Sequence, residues 1–227
     1  MIALYTACAL ACVRGYSIQT GRPSLAAHEL DTPLADLTPT QVTDILAAGE
    51  AAELPLHYFK RTMPLARVQW ALGVLRGLQP VSILDIGSGR GTFLWPLLDA
   101  FPFLPVTAVD ADPRRAELLT AVQAGGLERL DVRQVDATAL SFPDASFDVV
   151  TMLEVLEHIP DAQTALAEAV RLCQRALLIT VPSRPDDNPE HIHLFDEKQL
   201  REMLAACGVE RVKCSHVPGH LTVLAQK

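Results

Sequence analysis

From Ser82 onward, short apolar runs alternate with segments whose apolar positions recur every three to four residues. Ser82–Ile86, Val106–Asp110, Asp131–Val135, Phe147–Leu153 and Arg175–Val181 predict strands, and Thr92–Ala100, Pro113–Ala124 and Ala162–Cys173 between them predict helices. Such alternation builds a parallel sheet with right-handed crossovers and helices on both faces. A further amphipathic helix is expected at Asp196–Cys207, stopped by Gly208. Strands Val209–Val217 and Leu221–Ala225 follow, joined across Pro218-Gly219, so the sheet should end in an antiparallel hairpin. The expected class is α/β, a doubly wound, mostly parallel sheet with an N-terminal helical extension.

Upstream the periodicity is weaker. Met1 to Val13 is apolar, but too short to span a membrane, and no Lys or Arg precedes it as in a signal peptide. It reads as a weakly ordered leader. Gly21 to Pro39, rich in Pro, Thr and Asp, reads as a linker. Thr38-Pro39 then opens a capped helix, and Leu54 to Leu78 carries two helical patterns broken near Pro64. The expected organisation is leader and linker over 1–37, a helical lid over 38–80, and the main domain over 81–227.

Composition narrows the partners. A net charge of −8 over 227 residues argues against non-specific binding to nucleic acid or anionic membrane. Five cysteines with no C-x-x-C pair fit a reduced, cytoplasmic setting. Between Glu53 and Asp85 there is no acidic residue, while Lys60, Arg61, Arg67 and Arg76 are present. These cations serve either a lid that meets a carboxylate or phosphate, or a solvated helix face. Trp70, Trp95, Cys173 and Cys207 are expected in the core.

The chemistry centres on Ile83 to Gly91, a strand followed by a loop with Gly at every second position. Such a turn lets backbone N–H groups approach a ligand with no Cβ in the way. Asp85 within it would repel a pyrophosphate and welcome a positively charged group, which points to a zwitterionic nucleoside rather than a dinucleotide. Asp110 lies 21 residues beyond Gly89, where a carboxylate can take both ribose hydroxyls. A nicotinamide-binding turn would share Asp110, yet it needs Gly where Thr92 stands. Asp136 can accept from an exocyclic adenine amine, with the Ala137 backbone addressing the ring.

Leu84-Asp85-Ile86-Gly87-Ser88-Gly89-Arg90-Gly91, Val109-Asp110, Asp136-Ala137, Ser146–Val150 and Met152–Pro160, in that order and spacing, resemble class I S-adenosylmethionine-dependent methyltransferases. The resemblance covers Ser82 to Lys227 and is to the group that includes ubiquinone and menaquinone pathway enzymes. It implies a Rossmann-like fold and S-adenosylmethionine held by Asp85, Gly87, Ser88, Gly89, Asp110, Ala111, Asp136 and Ala137. The expected activity is methyl transfer to an O, N or C atom of a small-molecule acceptor.

Glu154, Glu157 and His158 have i, i+3, i+4 spacing and would share one face if a helix followed the fourth strand. Glu154, His158 and His193 are the candidate catalytic residues. The Glu-x-x-Glu-His run and His193-Leu194-Phe195-Asp196 are also similar to motifs of small-RNA 3′-terminal ribose 2′-O-methyltransferases. That resemblance implies Mg²⁺ or Mn²⁺ on Glu154, Glu157, His158 and His193. Against it, the Arg and Trp that flank the second motif in that family are missing here, and the net charge disfavours RNA. The simpler alternatives are side chains that shape the pocket and His193 as a lone base or loop anchor. A module that binds the cofactor without catalysis is the rival from another functional class.

Overall fold

The computed structural model describes residues 2–60 and 63–227. Its first element, α1 (Leu4–Thr20), differs from the weakly ordered leader that the sequence suggested. The cause is physical. A helix apolar on all sides shows no stripe to periodicity, yet it is stable once both sides are covered. Cys8, Ala9, Ala11 and Cys12 join the main core, and Leu10 and Val13 pack with Leu37 and Ile45 on the other side. Small residues bring backbones into contact there. A Cβ added to Gly15 would meet the Ala121 carbonyl oxygen at 1.8 Å, and one added to Gly125 would meet that of Ala11 at 1.8 Å.

The segment expected to be a linker contains the short helix α2 (Ala27–Asp31). Helix α3 (Pro39–Ala51) opens on the Thr38–Gln41 capping box, which satisfies otherwise free N–H groups, and α4 (Ala66–Leu78) follows. Among the expected lid cations, Arg61 lies outside the described residues. Lys60 and Arg76 are exposed, and Arg67 is half-buried.

The main domain then runs β1 (Ile83–Ile86), α5 (Leu94–Ala100), β2 (Val106–Asp110), α6 (Pro113–Ala124), β3 (Leu130–Gln134) and β4 (Phe147–Leu153). It continues through α7 (Ala162–Leu172), β5 (Cys173–Pro182), α8 (Glu197–Ala206), β6 (Arg211–Val217) and β7 (His220–Gln226). The sheet order is β3-β2-β1-β4-β5-β7-β6. The first five strands are parallel, and β7 is antiparallel to both β5 and β6. This is the Rossmann-like, doubly wound sheet with a terminal antiparallel hairpin.

The chain winds outward from β1 to β3 on one side and from β4 to β5 on the other. The switch point between β1 and β4 opens a crevice beyond the C-terminal strand ends, where ligands bind in such sheets. One face is covered by α1, α4, α5 and α6, the other by α7 and α8. Trp95 and Cys173 lie in these cores, and Trp70 packs at their margin. Cys207, the residue that caps the C-terminus of α8, is half-buried and packs at the margin of the second core.

Candidate active site

The crevice is a cavity of about 590 Å³, within the range that encloses small ligands. Asp85, Gly87, Ser88, Gly89, Asp110, Ala111, Asp136 and Ala137 all line it. Arg67 and Val68 of α4 line it as well, so the helical extension contributes to its wall.

The glycine loop works differently from the sequence expectation. Its amides are already engaged: Gly87 and Ser88 donate to the Val109 carbonyl at 2.8 and 3.1 Å, and Gly89 donates to Asp110 Oδ2 at 2.7 Å. The loop therefore offers a floor without side chains more than a set of free donors. Gly87, at φ 69°, has no room for a Cβ, which would sit 2.5 Å from Val155 Cγ2. Gly89, at φ 58°, faces almost open space. Both conformations favour glycine.

Asp85 lies beneath this floor. Its carboxylate accepts from Ser88 Oγ and Thr151 Oγ1, each at 2.7 Å. Burial pushes its carboxyl up to about 6, partly opposed by those two hydroxyls. It fixes the turn first, and a lone pair on each oxygen remains for a cationic group. Asp110, buried at the end of β2, takes the Gly89 amide on Oδ2 and the Asp112 amide on Oδ1 at 3.0 Å. Each of its oxygens can accept once more. Asp136 is exposed, and its Oδ1 takes both the amide and the hydroxyl of Thr138, which hold its carboxyl below the usual range.

Beyond β4 the chain does not enter an α-helix. Glu154 adopts φ 60°, and Leu156–His158 makes one 3-10 turn, so the three side chains part. The Glu154 carboxylate accepts from Thr180 Oγ1 at 2.7 Å, contacts His220 Nε2 at 2.9 Å, and lies 3.8 Å from Arg67 Nε. Glu157 turns inward and is fully buried, with neither carboxylate oxygen hydrogen-bonded, and burial pushes its carboxyl up to about 8. His158 stays on the cavity wall and donates from Nδ1 to the Glu190 carbonyl at 2.9 Å. His193 anchors its loop by donating from Nε2 to the Ile159 carbonyl at 3.1 Å.

The four residues expected to share Mg²⁺ or Mn²⁺ are therefore not gathered. Among the described residues, Glu157 and His158 cluster instead with His191, one donor atom from each lying within 4.8 Å of the others. Glu154 and His193 are not in that cluster, so the expected donor set does not fit a shared ion.

Sequence reasoning missed His220. It lies on the terminal hairpin, far along the chain from Glu154, and no local motif marks it. It also missed Asn188 and Glu190, which the loop after β5 brings to the cavity mouth.

Fold and crevice together define a Rossmann-like domain with an acidic residue at the C-terminal end of each of three neighbouring strands. Residues 84–177 match the family model described as a methyltransferase domain. A 2-methyl-6-phytyl-1,4-hydroquinone methyltransferase from Synechocystis is 32% identical over 145 residues, covering 61% of this chain and 43% of that protein. A ubiquinone biosynthesis O-methyltransferase from Methylocella silvestris is 39% identical over 114 residues, covering 50% of this chain and 41% of that protein. The chain thus spans less than half the length of either relative. The crystal structure of a Burkholderia thailandensis 1,6-didemethyltoxoflavin-N1-methyltransferase, with its acceptor and S-adenosylhomocysteine bound, superposes with a TM-score of 0.58 at 24% identity. That match covers 87% of this chain and 92% of the other, and it shows the shared fold. Among the described residues, no helix is long and apolar enough to cross a membrane.

Proposed function

We propose that the cavity binds S-adenosylmethionine and that the protein transfers its methyl group to an oxygen atom of a small phenolic acceptor. The supporting observation is the row of carboxylates along one cavity. Asp136 follows β3, Asp110 ends β2, Asp85 lies under the loop after β1, and Glu154 follows β4. Neighbouring strands lie about 4.8 Å apart, so this row runs from an adenine end through a ribose position to a methionine end.

Asp110 would accept both ribose hydroxyls on its two remaining lone pairs, and Asp136 Oδ2 would accept from the adenine amine. The floor over Gly89 would leave room for the methionine chain. The bound cofactor supplies an activated methyl group on a sulfonium. What the protein adds is placement, because holding two reactants in line removes much of the barrier. Arg67, Leu153, Val155 and Ile159 would bound the acceptor at the β4 end. The hydroquinone name of one sequence relative supports an aromatic acceptor, and the O-methyltransferase name of the other supports oxygen as its atom.

The test is incubation with S-adenosylmethionine and a panel of catechols and hydroquinones, read by mass spectrometry. A methylated phenol formed together with S-adenosylhomocysteine is the expected result. Binding of the cofactor without any product would favour a non-catalytic binding module.

A further inference from the structure

We infer that Glu154 receives the acceptor's proton and that His220, on the C-terminal hairpin, is the residue that positions it. This rests on the phenolic methyl-transfer reading above.

Glu154 is the first residue past β4, and its positive φ is unusual for a side chain of that size. Backbone held in this region persists only where its surroundings over-determine it, and such positions gather at working sites. Here the surroundings are three hydrogen-bonding or charged side chains from three elements. Thr180 of β5 donates to Oε1, His220 of β7 meets Oε2, and Arg67 of α4 approaches the same oxygen. The buried Glu157 carboxyl also interacts electrostatically with Glu154. Glu154 and Arg67 line the cavity, while Thr180 and His220 stand behind them. Glu154 is thus the carboxylate of the network that can touch an acceptor.

The hydrogen-bond pattern fixes how His220 acts. Its Nδ1 lies 3.0 Å from the Pro218 carbonyl, which can only accept, so Nδ1 carries a proton. Its Nε2 lies 2.9 Å from Glu154 Oε2, so the ring faces the carboxylate with its second nitrogen. The Pro218 carbonyl thus holds the ring in place against the carboxylate. Glu154 keeps unused lone pairs towards the cavity.

In the transfer, a lone pair on the acceptor oxygen forms the new O–CH₃ bond. The S–CH₃ pair returns to sulfur, which becomes a neutral thioether. The proton of the acceptor hydroxyl moves to the Glu154 carboxylate, which His220 holds in place. Glu154 acts directly on the substrate; His220 acts through it.

The test compares wild type, Glu154→Gln and His220→Gln on catechol and on the more acidic 4-nitrocatechol, with cofactor affinity measured by calorimetry. Glu154→Gln should lower kcat on catechol about a hundredfold, the scale of general-base assistance. On 4-nitrocatechol, which sheds its proton to water readily, the loss should be several times smaller. His220→Gln should lower kcat about tenfold, the scale of one charged hydrogen bond, and move the acidic limb of the pH profile. Cofactor affinity should stay within about twofold in both variants. Should either variant unfold, Thr180→Val should give the same selective pattern at smaller amplitude. Equal losses on both acceptors, or an unmoved pH profile, would show that the pair only supports the sheet end. Wild type that binds the cofactor yet methylates neither probe would refute the phenolic reading, and the proton transfer with it.

Discussion

Asp110 joins the glycine loop to the expected ribose position, because it holds the Gly89 amide and keeps one free lone pair on each oxygen. Asp110→Ala should weaken S-adenosylmethionine binding by about 10- to 100-fold, the scale of lost hydrogen bonds to a charged group. Asp110→Asn, which can still accept from Gly89, should fall between; calorimetric titration checks both. Glu157 sets a pH dependence of stability. Its folded carboxyl is raised by burial to about 8, against an ordinary value of 4.5. Its stabilising share is therefore complete below about pH 4.5 and is lost as pH rises towards 8, because the unfolded chain releases that proton first. Thermal melts across that window should show wild type losing stability with rising pH, and Glu157→Gln should flatten the slope. Asp85, Asp110 and Asp136 were legible because their spacing follows the strand ends. The partner of Glu154 was not, because His220 reaches it only through strand pairing of β5 with β7. The expected shared face of Glu154, Glu157 and His158 failed for a local reason. A residue at φ 60° followed by a single 3-10 turn breaks the helical spacing.

At the level of elements, the α1–α6 contact is where the sequence said least. Strands and helices after Ser82 declared themselves by period, and β4 and α6 have the expected boundaries. α1 has no polar face, so no period marked it, and its small residues looked like the composition of a leader. Those same residues make the close approach possible. Gly15→Ala should lower stability by roughly 1–3 kcal/mol, since the added methyl meets backbone that cannot rotate away. Helix propensity alone argues the opposite sign. Gly73, exposed within α4 with nothing near a built Cβ, supplies the control. Gly73→Ala should raise stability by about 0.5–1 kcal/mol. Opposite shifts in melting temperature would confirm that backbone contact, and not glycine content, governs α1. A gain in both variants would contradict the packing described for that helix.

Across the whole molecule, the sheet order places the three acids and Glu154 on neighbouring strands, and the N-terminal helices close the cavity from one side. Arg90 reaches over the Tyr58 ring, 5.6 Å from its centroid, and Phe59 packs on Trp95 at 5.2 Å, so the segment before α4 is tied to the glycine loop. The parallel sheet with its terminal hairpin could be anticipated from the alternating pattern, whereas the seating of the N-terminal segment could not, because it depends on aromatic contacts between segments with no shared motif. A chain organised this way should hold one S-adenosylmethionine and discriminate against a nicotinamide dinucleotide. Isothermal titration with each ligand tests that. The expected result is saturable binding of S-adenosylmethionine at one site per chain, competed by S-adenosylhomocysteine and weakened in Asp110→Ala. Absence of that binding, or preferential binding of a reduced nicotinamide dinucleotide, would contradict it.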